Sequence, residues 1–246
     1  MTIVRHRAAV VTALLTGFAL AAGPARGQIR PPRVPARLPA GPSPEIQRLL
    51  TRIDTTRVLF DRATFLLYKA GYVMEAVVAT QERRAEIRRD LASADSLEQR
   101  GGENRVQLNA EDRATRLEQA TAERRFEQSQ LSDAQARNVS SVGFNAALAL
   151  LMDAYALDEA RRLIGEAQHA AQSIANDPAQ LAHANRLRAA ATQDLPAIVN
   201  AVPQQQRLGS EIRAAVAQAR AANQAVQVSE ATARSDAPRP IDINAI

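Results

Sequence analysis

From Ile46 onward the apolar positions recur mostly three and four residues apart: Ile46, Leu49, Leu50, Ile53, Val58, Phe60, Phe65, Leu66 and Leu67. That is the helical period, and it puts these side chains on one face of an amphipathic helix. Ser43-Pro44-Glu45 supplies a start, since Ser43 can accept from free backbone N–H groups, Pro44 suits the first helical position and Glu45 faces the positive helix end. Gly71 is an expected break. Val73, Met74, Val77 and Val78 carry the pattern into a polar stretch, 81–100, rich in Arg and Glu. Gly101-Gly102 is the clearest turn signal, and Asn104 after it suits the cap of a second long polar helix with a thin stripe of Val106, Ala110, Leu117, Ala120, Leu131 and Ala134. Helices this polar do not persist on propensity alone, so each needs a partner, and the hairpin mate is the nearest. The pattern therefore predicts a hairpin arm over about 81–130, about 30 Å long at 1.5 Å per residue, protruding from a more apolar base.

Val139, Ser140, Ser141 and Gly143 are poor helix formers together and predict a bend at 138–143. Residues 144–151 are strongly apolar. Asp158 is expected to cap a further helix that carries Ala160, Leu163, Ile164 and Ala167 and ends near Asn176-Asp177-Pro178. Pro196 and Pro203 punctuate shorter helices, and a last helix is expected over about 204–233 on the stripe Leu208, Ile212, Val216, Ala219 and Val226. Residues 234–246, with Pro238 and Pro240, read as a flexible tail. The fold class is all-α: an antiparallel helical bundle with a protruding polar coiled-coil-like hairpin turning at Gly101-Gly102, and no β-sheet.

The first 43 residues differ in kind. Arg5, His6 and Arg7 precede an uncharged run from Ala8 to Gly23, and Ala25-Arg26-Gly27 supplies small residues where a signal peptidase needs them. This is the three-part pattern of a secretory signal peptide, 1–27, with cleavage expected after Gly27. Its apolar run is shorter than the roughly 20 residues needed to cross a bilayer, and no membrane span is expected after cleavage. Residues 28–43 carry Pro31, Pro32, Pro35, Pro39 and Pro42, which favour an extended tether. The helical domain is expected over 44–233.

Composition narrows this picture. Hydrophobic residues make up 46% of the 246-residue chain, enough for a core, yet aromatics are 3% and there is no Trp; a core of Ala and Leu suits closely packed helices better than a sandwich or barrel. The formal charge of +5 includes Arg5, Arg7 and Arg26, so the processed chain is nearly balanced and gives no reason to expect nucleic acid as a partner. With no cysteine, disulfides, thiolate ligands and cysteine nucleophiles are excluded.

Two segments, Leu67-Tyr68-Lys69-Ala70-Gly71-Tyr72-Val73-Met74-Glu75-Ala76 and Asp153-Ala154-Tyr155-Ala156-Leu157-Asp158-Glu159-Ala160, carry the small residues of a tight inter-helix turn. They resemble the helical hairpin of tetratricopeptide repeats, over about 58–83 and 144–167. The resemblance implies helix-hairpin packing and a peptide-binding or scaffold role. Thr80 and Arg83 depart from the pattern, and Ala76 and Ala160 are not separated by a multiple of the 34-residue repeat, which excludes a regular array.

Recognisable chemistry is sparse. His169 and His183 have no metal-ligand spacing, Ser140 and Ser141 lack a nucleophile-elbow context, and no glycine-rich phosphate loop is present. Lys69 beside Tyr68 and Tyr72, and the carboxylates Asp153, Asp158 and Glu159, are the remaining candidates; a pocket gathering Tyr72, Glu75 and Asp153 would point to an enzyme. No catalytic, cofactor or metal residues are assigned. The expectation is an exported, periplasmic or secreted, non-enzymatic protein acting through protein–protein contacts as scaffold, adaptor or homo-oligomer subunit. A holdase-type chaperone gripping clients between helical arms is the alternative.

Overall fold

A computed structural model describes residues 41–99, 109–227 and 237–246. The expected signal peptide, most of the tether, the Gly101-Gly102 turn and the Asn104 cap lie outside these residues. Among them the chain is 83% helical and holds no strand, as the apolar periodicity predicts.

Helix α1, Pro44–Val78, starts where expected: the Ser43 hydroxyl accepts from the Ile46 amide at 3.3 Å and Pro44 takes the first turn. It runs uninterrupted through Gly71. Its last carbonyls are satisfied by arginines from elsewhere, Arg84 donating to Ala76 and Val77 and Arg125 to Val78. After α2, Gln81–Gln99, the chain reappears at Asn109, whose side chain caps α3, Ala110–Ala122. Arg124 takes the left-handed region at φ 54°, the short α4, Arg125–Gln128, follows, and a capping box between Ser132 and Gln135 opens the longest helix, α5, Asp133–Ser173. α6, Leu181–Ala189, passes through a π-helical turn at 190–194 into α7, Leu195–Ala222.

Three long helices make the frame. Arg52 of α1 pairs with Glu159 and Glu166 near the end of α5, whereas Val73 and Val77 lie beside Gln135 and Asn138 at its start, so α1 and α5 are antiparallel. Leu150 against Gly209 and Gly143 against Val216 set α7 antiparallel to α5 as well. One buried cluster gathers the second half of α1, the first half of α5 and the second half of α7 with α2 and α3; the other joins the first half of α1 to the second half of α5, α6 and the start of α7.

Several expectations change. The segment expected as a free arm packs its apolar positions onto the body over its described part: Ile87 and Leu91 of α2 and Ala114 of α3 are fully buried, and Leu117 nearly so. Burying a Leu or Ile stabilises by about 1.5–3 kcal/mol, more than a solvated hairpin gains from its surface ion pairs. The second polar helix also ends early, at Ala122, where Glu123 caps it and Arg124 turns left-handed; Ser132 then starts a new helix. Helix runs without a break through 138–143, where a bend is expected, and Val139, Val142 and Gly143 are buried against neighbouring helices that hold the local conformation. Asp158 is an exposed mid-helix residue paired with Arg162, not a cap. The tetratricopeptide-like segments at 67–76 and 153–160 both lie inside continuous helices, not at turns. Pro203 sits inside α7, which ends at Ala222. α5 is long and apolar enough to cross a bilayer by length and composition, and 61% of its apolar window is buried in the bundle.

Candidate functional site

The residues singled out for chemistry are scattered. His169 is exposed near the end of α5, and His183 is half-buried on α6. Lys69 pairs with Asp95 at 2.5 Å and lies 4.9 Å from the Phe65 ring centre. Ser140 donates to the Ala136 carbonyl at 2.8 Å and accepts from the Gln227 amide at 2.8 Å. Glu159 is bound to Arg52. Among the described residues, no group of three or more His, Asp or Glu side chains is placed to hold a metal ion.

Tyr72, Glu75 and Asp153 are not brought together. Glu75, nearly buried on α1, takes Arg113 at 2.6 Å, Arg83 at 2.9 Å and Arg116 at 3.3 Å, while Arg113 also stacks 3.6 Å from the Tyr72 ring centre. Asp153 instead faces Gln205 of α7 and is fully enclosed, and that burial pushes its carboxyl up to about 8. A carboxyl shut into the core in this way holds a proton but offers no substrate a path to it.

The built site lies elsewhere, on the outer side of α5, and the segment expected as a flexible tail fills it. Asn138 donates to the Asp242 carbonyl at 2.7 Å and accepts from the Asp242 amide at 2.9 Å. Asn145 donates to the Arg239 carbonyl at 2.9 Å and accepts from the Arg239 amide at 2.7 Å. Each side-chain amide thus completes both backbone groups of one residue, which a primary amide does because it carries donor and acceptor side by side. The spacing follows from helix geometry. Two asparagines seven apart sit two turns apart on one face, about 10.5 Å along the axis, and three residues of extended chain span about 10 Å. Residues 237–242 form no helix or turn, and Asp242 has extended dihedrals, φ −84° and ψ 102°, so the three-residue step from Arg239 to Asp242 meets the two clamps in register.

Side chains add to this. The Arg239 guanidinium lies 4.1 Å from the Phe144 ring centre, and Ile241, Ile243 and Ile246 pack on the core cluster, with Ile246 beside Val73 and Val77. Asp242 and Asn244, the alternate residues, face water. The two prolines predict a flexible tail; in the structure three isoleucines and two main-chain clamps seat residues 237–246 on the bundle. Sequence reading missed Asn138 and Asn145, although two asparagines seven apart on an otherwise apolar face were a readable signal.

No protein-family model matches the chain, and the searches of curated proteins and of solved structures gave no match.

Proposed function

We propose that this chain is an exported, non-enzymatic adaptor that works by protein–protein contact, receiving an extended peptide segment along α5. One observation carries this reading: Asn138 and Asn145 hold a non-helical segment by the backbone groups of Arg239 and Asp242, in a register set by the helix. Backbone groups are common to every polypeptide, so a main-chain clamp gives affinity while neighbouring side chains give selectivity. The tripartite pattern of 1–27 supports export, and mass spectrometry of protein recovered from the envelope or medium tests it through an N-terminus at Gln28. The holdase alternative loses support because α2 and α3 spend Ile87, Leu91 and Leu117 inside the bundle, leaving no apolar arm lining from those residues for a client.

An array of ten-residue peptides probed with labelled full-length protein tests the adaptor reading. Binding that disappears when Asn138→Leu and Asn145→Leu are combined supports it; a binding pattern indifferent to both substitutions removes it.

A further inference from the structure

We infer that residues 237–246 are a built-in competitor for the α5 site, and that the partner segment they hold off shares their chemistry: a basic residue flanked by proline, followed by apolar residues at alternate positions. This rests on the peptide-binding reading above.

Three observations carry it. The four hydrogen bonds that seat the segment go to backbone N–H and C=O groups of Arg239 and Asp242, which any extended chain offers equally. What distinguishes one chain from another is the cation over Phe144 and the row of isoleucines, which together define the partner. Asn138 and Asn145 are 4% and 2% exposed beneath the segment, and they answer backbone groups that every polypeptide carries, where apolar residues would leave those groups unpaired. Two primary amides fit a contact that opens, because water satisfies them once the segment leaves.

Tethering sets the size of the effect. A segment on the same chain is present at an effective concentration in the millimolar range. A partner segment of equal intrinsic affinity must displace it, which weakens apparent binding at least tenfold when that affinity is about 100 µM or tighter.

The test uses a labelled peptide with the sequence of 237–246, titrated by fluorescence anisotropy into the full chain and into an Arg239→Pro/Asp242→Pro variant. Both prolines delete an amide that an asparagine accepts from, and Asp242 has φ −84°, which proline adopts readily. At least tenfold tighter binding by the variant, abolished on adding N138L and N145L, is the expected result. Equal affinity in variant and unsubstituted chain, still abolished by N138L/N145L, overturns the competitor and leaves the adaptor reading standing. Binding that ignores N138L/N145L, or no binding anywhere, overturns both. A peptide carrying alanine in place of its arginine is expected to bind several-fold more weakly, and equal binding would overturn the stated partner chemistry. Substitutions that disturb folding are bypassed by following the Arg239 and Asp242 amides of the isotope-labelled, unsubstituted chain while unlabelled peptide is added. Their signals are expected to move to free-segment positions; signals unmoved at saturating peptide overturn the proposal.

Discussion

Asp153 of α5 and Gln205 of α7 meet in the core with the end of the amide 3.1 and 3.0 Å from the two carboxyl oxygens. The orientation of that amide follows the carboxyl's charge, since oxygen and nitrogen are assigned from their partners. With Asp153 neutral, its O–H donates to the Gln205 oxygen, Gln205 Nε2 donates to Thr64 Oγ1 at 2.8 Å, and Thr64 donates to the Phe60 carbonyl at 2.9 Å. That chain runs donor to acceptor from the core carboxyl to the backbone of α1. With Asp153 ionised, the amide turns over: its nitrogen donates to the carboxylate and its oxygen accepts from Thr64.

Burial raises the Asp153 carboxyl to about 8 in the folded chain, against about 3.9 unfolded. Between those values the native state holds a proton that the unfolded state has released, so this group's contribution is fully present below about pH 4 and falls as pH rises, by up to about 1.4 kcal/mol per unit. Asp153→Asn copies the neutral form and removes the dependence. Urea unfolding at pH 5 and pH 8 is expected to show the substituted chain gaining on the original by 1 kcal/mol or more, in order of magnitude, at the higher pH. Parallel pH profiles for the two chains would refute the neutral carboxyl.

Glu75 holds three arginines, and Arg113, 9% exposed, depends on it most. Removing one partner of a buried pair leaves the other charge uncompensated, which costs about 3–5 kcal/mol when burial is complete. Glu75→Ala is expected to lose about 2–4 kcal/mol by the same logic, the exposed Arg116 and half-buried Arg83 softening the effect. Arg116→Ala, at a 59% exposed side chain, is expected to change stability by less than about 1 kcal/mol. Chemical denaturation of both variants checks the contrast, and equal losses would contradict this division.

Gly71 makes room for the same arginine. A Cβ there would collide with the Arg113 side chain, so Gly71→Ala is expected to destabilise by about 1–3 kcal/mol despite alanine's better helix propensity. Once Arg113 is also alanine the collision is gone, and the same substitution is expected to stabilise by up to about 1 kcal/mol. A double-mutant cycle reads the change of sign, and no coupling between the two positions would show that Gly71 serves another purpose.

How much of this was legible depends on whether a residue's role is local or distant. Ser43-Pro44-Glu45 marked the start of α1 because a cap is settled within one turn. Ser132 and Gln135 announced α5 just as locally, but their capping box was overlooked in favour of a continuing polar stripe. Gly71, Gly143 and Pro203 were read as punctuation and proved to lie inside helices, because packing against Arg113 and Val216 and the neighbouring turns outweighs a propensity penalty of about 1 kcal/mol for Gly. The α5 site joins residues 94 and 104 apart in sequence, and no local rule connects those positions. Only the unusual pair of polar residues on an apolar face hinted at it.

The clamps make a residue-level prediction about the chain's own C-terminal segment. Asn145 accepts from the Arg239 amide and Asn138 from the Asp242 amide, while the amides of Ile241 and Ile243 are bound by neither asparagine. Hydrogen exchange is therefore expected to be slow at 239 and 242 relative to 241 and 243, an alternation that burial alone would not produce. Asn145→Leu is expected to speed exchange at 239 more than at 242, and Asn138→Leu the reverse, because each substitution removes one acceptor and leaves the isoleucine contacts in place. Uniform protection across 237–246, or a loss spread evenly by either substitution, would mean that the isoleucines hold the segment and the asparagines do not read its backbone.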